Sequence, residues 1–141
     1  MTGAQKTFVD TNILVYAHDE SETRKRAIAA GLLHDLWQSG MGVLSTQILQ
    51  EFYVVATRKL NPPMSPEMAR KIVALYAEWQ PVRVDVPIIL AASTLQERHQ
   101  ISFWDALIVE SARRAGATRL ITEDLQDGRD FDGVAVEDPF I

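Results

Sequence analysis

The chain has 141 residues, no cysteine, only three histidines and no long uncharged apolar run. Without cysteine there is neither a disulfide framework nor a thiolate zinc site, and His18, His34 and His99 show no metal-ligand spacing. A metal site here would have to use oxygen ligands, which favours hard cations. No apolar run approaches the roughly 18 residues of a membrane span, and MTGAQK opens the chain without a signal-peptide pattern. These absences predict a cytoplasmic protein with no membrane association. Positive charge is also scarce: 14 Lys and Arg face 19 Asp and Glu, a net charge of −5. That balance opposes nucleic-acid binding, which relies on cations at the phosphates, unless clustered carboxylates hold divalent ions. Arg58-Lys59 and Arg113-Arg114 are basic pairs that could contact a phosphate backbone, although such a pair is more commonly a solvated helix face.

The apolar content, 47%, is enough to build one core, and the expectation is a single domain over residues 1–141. Residues 7–20 read TFVDTNILVYAHDE, a short β-rich run that turns at Asp10 into a second apolar run with helical character. Spacing predicts helices over 21–38, 46–60, 65–79, 87–98 and 103–115. Ser65-Pro66 supplies an N-cap with proline at the first helical position, and Asn61-Pro62-Pro63 stops the helix before it. Short strands are expected at 42–45, 82–85, 119–122 and 134–136. Strands alternating with helices imply an α/β fold with a mainly parallel sheet, whose ligands collect beyond the carboxyl ends of the strands.

Four acids interrupt this pattern. Asp10 and Asp124 follow predicted strands. Glu51 stands three residues after Ile48 and four before Val55, which puts it on the core side of its helix. Asp105, in SFWDALIVESA, opens a largely apolar helix, with Glu110 on that helix's polar side. Each has a bland explanation: Asp10 as a helix cap, Asp105 as a partner of a helix N-terminus, Asp124 as a turn residue and Glu51 in a salt bridge to arginine. Together they suggest one acidic site. Clustered carboxylates raise one another's pKa unless a cation neutralises them, and Mg²⁺ or Mn²⁺ suits an all-oxygen set.

The segments FVDTNIL (8–14), TQILQEFYVVATRKL (46–60), SFWDALIVESA (102–112) and LITEDLQDG (120–128) resemble, in order and spacing, the PIN-domain ribonucleases, especially the VapC-like toxins of type II toxin–antitoxin pairs. The resemblance implies a PIN-like three-layer sandwich with a central sheet of four to five strands flanked by helices. It also implies that Asp10, Glu51, Asp105 and Asp124 bind one or two Mg²⁺ or Mn²⁺ ions and hydrolyse RNA. Thr11, Asn12 and Thr122 match supporting positions, and Asp127 resembles an additional acid of some members. A cognate antitoxin and a homodimer are the implied partners. The alternatives are a non-toxin housekeeping nuclease and a catalytically silent PIN-like module that binds RNA or protein. A phosphoacceptor signalling domain would share the architecture, but that family's pattern needs a lysine near the end of a late strand, and the last lysine here is Lys71. A DNA-flap nuclease would need substrate-threading elements for which the chain leaves little room.

Overall fold

Thr7, Phe8 and Val9 are wholly buried, and because successive strand residues point to opposite faces, both faces of the strand they form must be covered. This strand, β1 (Thr7–Val9), lies inside a five-stranded sheet with β2 (Gly42–Val43), β3 (Arg119–Ile121), β4 (Asp130–Phe131) and β5 (Val134–Glu137). The order is β2-β1-β3-β5-β4, parallel except for the β4–β5 pair. The computed structural model describes residues 5–141, so the first four residues of MTGAQK, read above as lacking a signal pattern, lie outside the described residues.

Among the described residues six helices join and flank the strands: α1 (Thr11–Tyr16), α2 (Thr23–Ser39), α3 (Thr46–Arg58), α4 (Pro66–Tyr76), α5 (Val86–His99) and α6 (Phe103–Arg114). Their starts follow local chemistry. Ser45, Ser65, Asp85 and Ser102 each accept a backbone N–H at the third helical position, from Ile48, Met68, Ile88 and Asp105. Residues 77–79 continue α4 only as a 3-10 turn, which ends at Gln80 in a left-handed conformation. Among the described residues no helix is long and apolar enough to cross a membrane.

Two departures from expectation have physical causes. Val82–Asp85 does not become a strand. Val82 makes one parallel bridge with Ser45, after which the Val84 N–H goes to Thr46 Oγ1 and Asp85 turns to cap α5. Conversely, β4 was not expected. Asp132 and Gly133 both adopt positive φ, 54° and 101°, and form the two-residue turn that folds β4 back on β5. An Asp-Gly pair between Phe131 and Val134 is a strong hairpin signal.

The sheet order also locates the functional edge. β2 lies on one side of β1 and β3 on the other, so the order switches at β1. In open α/β sheets the crevice for ligands forms at such a switch, outside the carboxyl ends of the strands. Val9 pairs with Ile121 and the Asp10 N–H donates to the Ile121 carbonyl at 3.0 Å, which puts Asp10 level with Thr122.

Candidate metal centre

Asp10 is 4% exposed. Its Oδ1 accepts the Thr11 N–H at 2.7 Å, and its Oδ2 accepts the Thr122 hydroxyl at 2.6 Å. It therefore does cap α1, as the bland explanation had it. Capping does not offset its burial. Desolvation drives its pKa up from 3.8 to about 7, the two hydrogen bonds work against that rise, and the charges of Asp124 and Glu51 add to it.

Each of the other three acids arrives from a different element. Asp124 stands three residues beyond β3; its N–H donates to Thr122 Oγ1 at 3.0 Å, and its Oδ2 accepts from Asn12 Nδ2 at 3.1 Å. Its pKa is raised by desolvation first, then by the charges of Glu123 and Asp105. Glu51 is carried by α3, with Thr11 Oγ1 3.4 Å from its Oε1. The expectation that Glu51 faces the core is corrected: the residue is exposed, at the rim between α3 and α1. Even so, its carboxylate is sufficiently screened from water for desolvation to lead its upward shift, ahead of the charges of Asp124 and Asp105. Asp105 is the third residue of α6, half-buried, its N–H on Ser102 Oγ at 3.0 Å. Asp105 acts on both Glu51 and Asp124, so the four acids form one electrostatic cluster at the switch point.

The chemistry of this donor set fits a hard divalent cation. Only oxygen is offered, three of the carboxylates have raised pKa values, and a buried acceptor, Asn12 Oδ1, has no protein partner to bond. Among the described residues, no three acidic or imidazole groups close tightly enough to enclose an ion as they stand.

The remaining candidates divide. Thr11, Asn12 and Thr122 each touch one or more of the four acids. Asp127 does not: its Oδ1 accepts the Asp138 N–H at 2.8 Å and pins the loop to the strand end after β5. Glu110 is corrected as well. It is 3% exposed, within an α6 buried continuously from Ala106 to Ala112, and it pairs with Arg113 at 2.9 Å and Arg114 at 3.0 Å. Those arginines are thus tied down at the far end of α6 from Asp105. Arg58 and Lys59 are exposed at the end of α3 and remain open to solvent.

Sequence reasoning missed two neighbours of the cluster. Gln47, one helical turn before Glu51, is buried; its amide lies near enough to the Glu51 carboxylate to oppose that group's upward pKa shift, without a fully aligned hydrogen bond. Glu123, between Thr122 and Asp124, is bound by Lys25 and Tyr16. Gln47 could have been found from its place four residues before Glu51 on the same helical face.

Comparison with known proteins identifies the family and the fold. Residues 7–135 match the PIN domain. No curated protein matches the sequence. Among solved structures, the chain is similar to a toxin–antitoxin complex from Klebsiella pneumoniae, at 20% identity and TM-score 0.65 over 95% of this chain and 98% of that one. It is similar to VapBC2 of Rickettsia felis, bound there to a promoter DNA fragment, at 18% identity and TM-score 0.62 over 93% and 96%. Mycobacterium tuberculosis VapC20, a sarcin–ricin loop cleaving toxin, matches at 20% identity and TM-score 0.60 over 81% and 86%. At these identities the structural likeness is one of fold. The domain match runs from the first residue of β1 into β5 and includes all four acids, and the chain belongs to the PIN-domain family.

Proposed function

We propose that the chain is a divalent-metal-dependent ribonuclease, a phosphodiester hydrolase acting on single-stranded or structured RNA, and the toxin of a toxin–antitoxin pair. One observation carries the catalytic part: Asp10, Glu51, Asp105 and Asp124 come from four separate elements to one strand-end edge of the sheet, where desolvation and neighbouring charge act together against the ionisation of Asp10, Glu51 and Asp124. A divalent ion removes that cost. Asp10, Glu51, Asp105 and Asp124 would hold Mg²⁺ or Mn²⁺, as one ion or two. When bound, the metal supplies a lowered pKa for a coordinated water and charge neutralisation at the phosphate. Thr122 and Thr11 orient Asp10, Asn12 orients Asp124, and no side chain has to serve as a covalent nucleophile.

The toxin assignment is supported by the similar structures, a toxin–antitoxin complex and VapBC2 among them. RNA as substrate is supported by VapC20, described as cleaving the sarcin–ricin loop. The partners are then RNA, a cognate antitoxin and a second copy of the chain, in the cytoplasm.

The test is cleavage of a single-stranded RNA panel with Mg²⁺ or Mn²⁺, with EDTA, and with Asp10→Asn, Glu51→Gln, Asp105→Asn and Asp124→Asn. EDTA and each substitution should lower cleavage by orders of magnitude. Full activity in EDTA overturns the metal assignment. Expression alone should arrest bacterial growth, with relief by an antitoxin from a neighbouring reading frame. Normal growth with a soluble, RNA-cleaving protein favours a housekeeping nuclease, and no cleavage at all favours a silent binding module.

A further inference from the structure

Glu123 stands between Thr122, which bonds Asp10, and Asp124, which bonds Asn12. Its own carboxylate is bound by residues of α1 and α2. Lys25, on α2, donates from Nζ to Glu123 Oε2 at 2.9 Å and to the Tyr16 hydroxyl at 3.3 Å, while that hydroxyl donates to Glu123 Oε1. The ammonium also lies 4.7 Å from the Tyr16 ring centroid and 5.3 Å from that of Phe140. Asn12 and Tyr16 are one turn apart on α1 and therefore share a face. That face grips Asp124 with one side chain and Glu123 with the other.

Three consecutive loop residues are thus anchored to three different partners. A fifth carboxylate beside four others is electrostatically unfavourable, and Glu123 is the leading charge acting on Asp124. Stability alone is a weak reason for such a pair. Its side chains are 29% and 23% exposed, and pairs with access to solvent contribute little to stability. Position is a stronger reason, since a partner that orients a metal ligand typically accounts for 10–100-fold in metal affinity.

We infer that Lys25 and Glu123 are positioning residues of the nuclease site: the pair, with Tyr16, fixes the loop that presents Asp124 and neutralises a fifth carboxylate beside the four. This rests on the metal-site assignment proposed above. Neither residue touches the metal or the RNA.

The decisive variant is the charge-balanced double substitution Lys25→Met with Glu123→Ala, which removes one charge of each sign and so leaves the net charge unchanged. Three quantities are measured: amide hydrogen exchange of residues 122–128 in EDTA, Mn²⁺ affinity from the electron paramagnetic resonance signal of free Mn²⁺, and kcat and KM on RNA at saturating Mn²⁺. The double variant should exchange faster in that segment, bind Mn²⁺ about tenfold more weakly, and lose kcat with KM for RNA unchanged. Lys25→Arg, which keeps the cation and its donors, should stay near wild type in all three. A double variant with wild-type exchange and Mn²⁺ affinity overturns the inference. So does one whose only change is a higher KM for RNA, which would make Lys25 a phosphate contact. If wild type itself binds no Mn²⁺, the metal assignment has failed, and that failure is recognised without reference to the variants.

Discussion

The Thr122 hydroxyl donates to Asp10 Oδ2 at 2.6 Å and, as an acceptor, takes the Asp124 backbone N–H at 3.0 Å. One fully buried side chain therefore couples acids from the two ends of the chain. Thr122→Val keeps the shape and removes both bonds, leaving buried polar groups unmatched. The expected loss is roughly 1–3 kcal/mol in denaturant unfolding of the metal-free protein at neutral pH, with Thr122→Ser close to wild type. Equal stability of the valine and serine variants would show that the hydroxyl does not couple the two acids.

Asp10 predicts a pH dependence of stability. Its folded pKa, about 7, lies above the ordinary 3.8, so between those values the folded chain holds a proton that the unfolded chain has lost. Stability from this group therefore falls as pH rises from about 4 to about 7, and the penalty is fully present above that window. Asp10→Asn should melt near wild type at pH 4 in EDTA and increasingly above it up to pH 8. A melting difference that stays constant across this range would rule out the buried, protonated Asp10.

Glu110 and Asp105 share α6 but should fail in opposite ways. Glu110→Gln breaks two ion pairs with half-exposed arginines and should cost roughly 1 kcal/mol while cleavage per folded molecule is retained. Asp105→Asn should abolish cleavage without destabilising the metal-free protein, because it relieves repulsion on Glu51 and Asp124. Chemical denaturation paired with a cleavage assay separates the two. Comparable loss of cleavage at Glu110 would move that residue into the site.

Metal should stabilise wild type by mass action, about 2.7 kcal/mol at a hundredfold excess of Mn²⁺ over its dissociation constant. Asp105→Asn should gain much less. Thermal melts of both proteins in EDTA and in Mn²⁺ give the comparison, and equal shifts on adding Mn²⁺ would remove Asp105 from the ligand set.

Local pattern was sufficient for the helices, for most strands and for the placing of two of the acids at strand ends. Asp10 and Asp124 stood out because each follows an apolar β-rich run, and strand ends are where such sheets place their ligands. Caps such as Ser65-Pro66 marked helix starts within a residue, since capping is chemistry between near neighbours. The Asp-Gly turn of the β4–β5 hairpin was equally local and was overlooked. Orientation was harder to read. Helical periodicity puts Glu51 beside apolar neighbours, but a rim facing the cluster lies only a fraction of a turn from the core side, and the packing of α1 against α3 decided between them. Glu110 looked solvated until α6 proved buried all around at that level.

What sequence determined by itself was which acids interrupt apolar runs, because that interruption is written in nearest-neighbour spacing. Tertiary structure alone decided which charges meet. The β1–β3 register sets Asp10 level with Thr122, and the Lys25–Glu123 pair joins α2 to a loop distant in sequence. Hydrogen-bond register and ion pairing act over a few ångströms in space, and chain separation on that scale exists only after the sheet has assembled.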